Sequence, residues 1–370
     1  MGNSVNLQKA LDHGKTLLEG RYYADAIEHF STAIDHLDLD THPERFDDPL
    51  LAELYFHRAM ALISDTEQDV FNDRDVFHQA LEDIDSALDL QPENGIYLLS
   101  RGHLYASANF TSYGTEAAED FLTVLYHDPS HTDALRMLGQ LYTREAKYEE
   151  AIVCFDRLID QKGNEKEAWL FRALCHYRKD PPDYMSAIRD FNQAEKHYPD
   201  KPEIRVWRAS CFENLGEIGR AINEYDGLVA AYPRNGDFLA QRGSLFLRMD
   251  DPARARANFE QALAIGPNAL ALNNLAWMDL QQGNALQARE KASLALSTDP
   301  SLGVAHATLA EAYAALGDRA SMFMALKQAV IHYFESVADL LEEPAFEGFH
   351  TDPEFQHLVS QFEAIQGQQK

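Results

Sequence analysis

At 370 residues the chain has the length of two or three ordinary domains, and 60 acidic against 32 basic side chains give it a formal charge of −28. Repulsion on that scale opposes the counterion release that drives binding to phosphate backbones, so nucleic acid and anionic membrane surfaces are poor partners. Cys154, Cys175 and Cys211 are odd in number and match no thiolate-cluster spacing. No window of about 18 apolar residues exists, and no basic stretch leads into an apolar one at the start, so the expectation is a cytoplasmic protein with free thiols and no membrane insertion.

In chain order the apolar pattern reads as a series of helical hairpins, each with a small residue in its first helix and, in all but the last, an alanine opening its second. The first is built around Gly14 and Ala26. A Pro-containing connector, 41–51, leads to the second, around Ala59 and Ala80, whose helix-to-helix junction is lengthened over 64–79. The third, around Gly102 and Ala117, carries a smaller insertion near 109–114. Gly139 with Ala151, Ala173 with Ala187, Ala209 with Ala221, Gly243 with Ala255 and Ala276 with Ala288 continue the series, and Ala310 anchors a ninth hairpin. From Ala117 onward the alanines are 34, 36, 34, 34 and 33 residues apart. Small residues let the two helices approach, and Phe30, Phe121, Phe155, Phe191, Tyr225 and Phe259 are the expected fillers of the gap. Pro92, Pro129, Pro199, Pro233, Pro267 and Pro300 punctuate the hairpins, since a residue without an N–H ends a helix. In the tail, Phe346, Phe349, Phe355, Leu358 and Phe362 predict a closing helix.

Aligning the hairpins exposes a coupled choice. Arg58, Arg101, Arg172 and Arg208 each precede a small anchor, and three residues after the helix-B alanine the same hairpins carry Asp83, Asp120, Asp190 and Glu224. Arg242 is matched by Asn258. The hairpins without this arginine have neither acid, pairing His13 with His29, Leu138 with Cys154, Leu275 with Lys291 and Leu309 with Ala325. The pattern predicts a guanidinium–carboxylate bond joining the two helices of one hairpin.

The repeating unit resembles the tetratricopeptide repeat, clearest in Leu135, Leu138, Gly139, Tyr142, Tyr148, Ala151 and Phe155 and again in Trp169, Ala173, Ala187, Phe191, Ala194 and Pro199. The resemblance implies an all-α fold, an α-solenoid wound as a right-handed superhelix of about nine repeats over 1–333, closed by a C-terminal capping segment, 334–370. Asp352-Pro353-Glu354-Phe355 is similar to the element that ends many bacterial arrays of this kind. The family's groove, lined by the first helix of each unit, projects onto Phe56, Met60, Leu99, Arg136, Gln140, Arg144, Tyr177, Arg178, Arg248 and Trp277. Its first third would be apolar through Phe56, Met60 and Leu99, and its centre basic through Arg136, Arg144, Arg178 and Arg248. The carboxylate clamp by which some members hold chaperone tails is not matched, because Leu11, His57, Ile96 and Ser100 stand at four of its positions.

Catalytic look-alikes fail on single residues. Gly14-Lys15-Thr16 imitates the end of a phosphate loop, but Lys9 holds the place of its first glycine. The acidic stretch from Asp65 lacks the glycine and final glutamate of a calcium loop, having Val70 and Val76 there. Gly2 is followed by Asn6 where a myristoylation signal needs Ser or Thr. The expectation is therefore a noncatalytic interaction scaffold without cofactor or metal, binding a protein or peptide segment in the groove, its oligomeric state open. The alternatives are a dedicated chaperone for a secreted or assembling client and, from another class, a small-molecule enzyme or sensor using a groove pocket.

Overall fold

Paired helices follow one another along the chain in the computed structural model, which describes residues 2–36, 49–65, 70–108, 113–161, 166–332 and 342–367, with side chains from Leu7 to Ser360. Most of the predicted connector 41–51, parts of the insertions 64–79 and 109–114, and 334–341 of the tail lie outside these residues, as does the side chain of Phe362. Among the described residues nine hairpins form. They are α1 (Gly2–Glu19) with α2 (Tyr23–Asp35), α3 (Pro49–Ser64) with α4 (Arg74–Leu90), α5 (Gly95–Ser107) with α6 (Gly114–His127), α7 (Thr132–Arg144) with α8 (Tyr148–Asp160), and α9 (Lys166–Arg178) with α10 (Tyr184–His197). Then come α11 (Pro202–Asn214) with α12 (Ile218–Ala231), α13 (Gly236–Arg248) with α14 (Pro252–Ile265), α15 (Ala269–Gln281) with α16 (Ala285–Thr298), and α17 (Gly303–Leu316) with α18 (Arg319–His332). A 3-10 helix, Pro344–Phe349, and α19 (Pro353–Gly367) close the chain. The chain divides into two compact units, Met1–Tyr198 and Pro199–Lys370. Of the predicted insertion 64–79, residues from Arg74 onward extend α4, with Asp73 capping its start and Phe77 fully buried.

Four of the hairpins are fastened first by shape. A Cβ added to Gly14, Gly102, Gly139 or Gly243 would stand 2.2, 2.6, 2.8 or 2.6 Å from the ring of Phe30, Phe121, Phe155 or Phe259. Those four rings are fully buried, and each burial contributes about 2–3 kcal/mol.

The turn between paired helices carries a second constraint, absent from the sequence reading. Arg21, Ala146, Gly216, Asp250, Gly283 and Gly317, each seven residues after its anchor, have a left-handed backbone with φ between 57° and 76°. The next N–H then returns to a carbonyl five residues back, as from Lys147 to Tyr142 and from Glu217 to Phe212, both at 2.8 Å, and so satisfies a carbonyl that the helix end leaves open. Among the described residues the hairpin of α9 and α10 does without this turn, its junction being longer.

A third fastening is polar. Arg58 donates Nε and Nη2 to the two oxygens of Asp83 at 2.8 and 2.6 Å; Arg101 holds Asp120 at 2.9 and 2.7 Å, Arg172 holds Asp190 at 2.7 and 2.7 Å, and Arg208 holds Glu224 at 2.7 and 2.8 Å. Arg242 Nε donates to Asn258 at 2.9 Å. Four of these arginines also reach back with Nη1 to the preceding hairpin: Arg58 to Ser31, Arg101 to Asp85, Arg172 to Asp156 and Arg242 to Asp226. Each of those partners lies five residues after the helix-B alanine of its own hairpin. One guanidinium thus ties three helices. In the hairpin of α15 and α16 the polarity is inverted: buried Asp279 on the first helix receives Arg256 of α14 at 3.3 Å and Lys291 of α16. In the first hairpin, His13 and His29 occupy the same places and meet edge to face at 4.7 Å.

At the end of the second unit, Phe346, Phe355 and Leu358 are buried against Met322, Phe323, Leu326 and Ala329. Asp352 caps α19 through the Glu354 N–H at 2.8 Å and takes two bonds from Arg319 at 2.9 Å, which gives the Asp-Pro-Glu-Phe element its physical role. Beneath this cap, burial first and the charge of Glu343 second push the Glu311 carboxyl up to about 7.

Three outcomes follow from these fastenings. In a double-mutant cycle, Arg172→Leu and Asp190→Leu each destabilise, and the pair costs less than their sum by about 1–2 kcal/mol, because either single change strands a half-buried partner; additive effects would mean that the bond adds nothing. Ala146→Gly raises stability by about 0.5–1 kcal/mol in urea titrations, as relief of the left-handed strain exceeds the extra freedom of the unfolded chain. Glu311 binds its proton more tightly folded than unfolded, so its contribution is present below its ordinary value of 4.5 and lost as pH rises through about 7. Glu311→Gln should therefore gain on the parent by about 1–3 kcal/mol between pH 5 and pH 8, and a constant difference would contradict that shift.

Candidate functional site

The first helices of successive hairpins lie side by side within each unit and present a stripe of side chains opposite the seam where paired helices meet. In the first unit, α7 and α9 carry the residues marked from the sequence. Arg136 is half-buried and pairs with Asp133 one turn earlier on α7. Its charge also reaches His103 on α5, whose pKa is lowered by burial first and by Arg136 second. Gln140 lies half-buried one turn on, and Arg144 follows, exposed, with Nη1 donating to the Ala106 carbonyl at 2.5 Å in the last turn of α5. A cation there suits the open carbonyls at a helix C-terminus. On α9, half-buried Tyr177 meets the Tyr184 ring edge to face at 5.8 Å, and the exposed Arg178 has no ion pair among the described residues. The structure thus brings Arg136, Gln140, Arg144, Tyr177 and Arg178 onto two neighbouring helices of one unit.

The expected apolar third is different in kind. Phe56 is 8% exposed and packs its ring against Tyr97 at 4.6 Å, so it belongs to the core, and Met60 and Leu99 are half-buried against that core. What this end of the stripe presents is a polar junction the sequence reading missed. Lys15 of α1 donates to Glu53 of α3 at 2.8 Å, and the Tyr97 hydroxyl of α5 donates to the same carboxylate at 3.5 Å. Burial and the Glu53 charge push that phenol up to about 12. One carboxylate therefore ties three successive first helices. Arg248 and Trp277 belong to the second unit, where exposed Arg248 pairs with Glu213 at 2.8 Å and Trp277 is 40% exposed.

Among the described residues, no group of three or more His, Cys, Asp or Glu side chains is placed to hold a metal ion, and no helix is long and apolar enough to cross a membrane. The three thiols are buried, and burial pushes Cys154 up to about 11 and Cys211 up to about 12, which leaves them poor nucleophiles.

Comparison with known proteins agrees with this architecture. Models of the tetratricopeptide repeat match residues 133–165, 183–236 and 241–302. The chain is 27% identical over 249 residues to cellulose synthase operon protein C of Xanthomonas axonopodis pv. citri (strain 306), covering 65% of this chain and 16% of that one. It is 25% identical over 223 residues to DnaJ homolog subfamily C member 3 of Rattus norvegicus, covering 60% and 36%. It spans less than half the length of these curated relatives. The C-terminal part of a TPR repeat-containing protein from Cytophaga hutchinsonii shares the fold with a TM-score of 0.56 at 16% identity, over 72% of this chain and 99% of that one. Nine hairpins form among the described residues, four closed by a ring against a glycine anchor and six turned through a left-handed residue, and the repeat models match three stretches of them: the chain is an array of tetratricopeptide repeats.

Proposed function

We propose that the chain is a noncatalytic, cytoplasmic interaction scaffold whose first-helix stripe in the unit Met1–Tyr198 holds a segment of one protein partner, with Arg136, Gln140, Arg144 and Arg178 at the centre of contact. The observation that carries this reading is the exposure of Arg144 and Arg178 on adjacent first helices of a chain with a net charge of −28. Most of the chain repels anions at long range, so two outward guanidiniums on one stripe give an acidic segment a defined place to make charge-assisted bonds. Arg178 is the strongest candidate anchor, because Arg144 spends one N–H on α5 and Arg136 one on Asp133. The junction of Lys15, Glu53 and Tyr97 satisfies its own charges and acts as a stiff shoulder to that surface. The likeness to a DnaJ homolog favours a second reading, a chaperone dedicated to a secreted or assembling client. Release of the bound protein before its export or assembly would distinguish it.

Changing Arg136, Arg144 and Arg178 together to Glu should weaken the complex with a partner isolated from the native cell by at least about a hundredfold, since three attractive charges become repulsive. The helical signal and melting temperature should stay near the parent's, as these side chains are outside the core. Unchanged affinity of the purified partner for the triple variant would remove the stripe from the interface.

A further inference from the structure

The seam side of the fifth hairpin holds a cavity that the first-helix stripe does not use. Trp169, Arg172 and His176 line it from α9, and Ser186, Arg189, Asp190 and Gln193 from α10, around a volume of about 500 Å³. Residues 169, 172 and 176 share one stripe of α9 by their spacing of three and four, on the opposite side from Leu174 and Arg178. Space opens here for a reason visible in the repeats. Three residues after the anchor, the two preceding hairpins place the phenol rings of Tyr105 and Tyr142, and this one has the smaller imidazole of His176.

The wall is rich in donors and poor in open acceptors. Both oxygens of Asp190 are taken by Arg172, whose guanidinium lies over the Trp169 ring at 5.0 Å. Gln193 has its carbonyl oxygen engaged by Lys196 at 2.9 Å, which leaves its NH₂ as the open end. Exposed Arg189 spends one N–H on Ser186 at 2.7 Å, its remaining donors having no partner among the described residues. His176 is 15% exposed, and its Nδ1 is buried without a hydrogen-bond partner among those residues. The charged groups around the imidazole are Asp190 at 4.0 Å, Asp183 at 3.9 Å, Arg172 and Lys179. Asp183 stands outside the cavity wall and is engaged at the start of α10, accepting the Ser186 N–H at 3.0 Å. Arg172 is matched by Asp190 and by Asp156 of the preceding hairpin, so Arg189 is the cation of this wall without a carboxylate partner among the described residues.

We infer that this cavity between α9 and α10 is a binding site for a carboxylate, received by Arg189 and the Gln193 amide and flanked by the Trp169 indole. An aliphatic chain carrying the acid fits beside the indole, and the volume accepts a small dicarboxylate or the side chain of a glutamate from another polypeptide. The site is independent of the stripe on the other side of α9 and stands or falls without it.

The test uses the full chain and follows Trp169 fluorescence while glutarate is added in one arm and an acetylated glutamate-rich hexapeptide in the other. Trp169→Phe identifies the signal against Trp207 and Trp277. Saturable binding of glutarate, weakened at least about tenfold by Arg189→Gln and by Gln193→Leu, supports the site and names a free acid as sufficient. Saturation by the hexapeptide alone, with the same losses, supports the site and makes a polypeptide side chain the source. Arg189 is exposed and Gln193 is tied only to its own helix, so both variants should keep the parent's melting temperature. Failure of both probes to saturate, or equal affinity in the Arg189→Gln protein, overturns the proposal.

Discussion

An aromatic ring driven into the space of a missing side chain sets the geometry on which everything else in this chain depends. At Gly14, Gly102, Gly139 and Gly243 the second helix approaches because the anchor has no side chain, and a fully buried ring from the second helix fills that gap. Overpacking the gap by one carbon would force the ring aside, since protein interiors have no slack at that scale. The approach so fixed brings the arginine beside the anchor within bonding range of a carboxylate three residues past the facing alanine. Shape sets the distance first, and polar bonds then select among the ways of stacking.

Those polar bonds do more than join paired helices. Where the third guanidinium nitrogen finds Ser31, Asp85, Asp156 or Asp226, the arginine couples one hairpin to the hairpin before it. A repeat array is a sum of units and interfaces, so an interaction spanning both raises the cooperativity of neighbours. The inverted arrangement at Asp279 supports the same view. It uses the same second-helix position, at Lys291, with the charges exchanged, and draws its other cation from the preceding hairpin at Arg256.

What the sequence made legible divides along the same physical lines. Anchors, rings and proline stops recur at fixed spacing because each acts within one hairpin, so the fold and the Arg58–Asp83 type of pair could be read directly. The reach to the preceding hairpin was not legible, since it depends on how neighbours stack. Nor was the inverted pair, because Asp279 stands four residues from the place where the arginines sit. Arg21, Ala146 and Asp250 gave no sign of a left-handed backbone, as only Gly216, Gly283 and Gly317 carry the residue that this conformation favours. On the candidate surface Arg144 and Arg178 are exposed, whereas Phe56, placed on that surface by helix position alone, is buried because the ring of Tyr97 on the next first helix packs against it. A projection along one helix knows nothing of its neighbour's large side chains.

The charge balance links these constraints to function. Arg58, Arg101, Arg172, Arg208 and Arg242 are spent inside the seams, where each neutralises or bridges acidic or polar groups that burial would otherwise penalise. Because carboxylates in the seams match those cations, the outer surface keeps an acidic excess close to that of the whole composition. On that surface Arg136, Arg144 and Arg248 each make a local bond. Arg178 has no such bond among the described residues, and Arg189 has only the Ser186 hydroxyl. One faces the first-helix stripe and the other a cavity on the far side of the same hairpin. The fifth hairpin, lengthened at its turn and carrying His176 where two earlier hairpins have tyrosine, keeps its Arg172–Asp190 fastening and presents these two exposed guanidiniums on opposite sides.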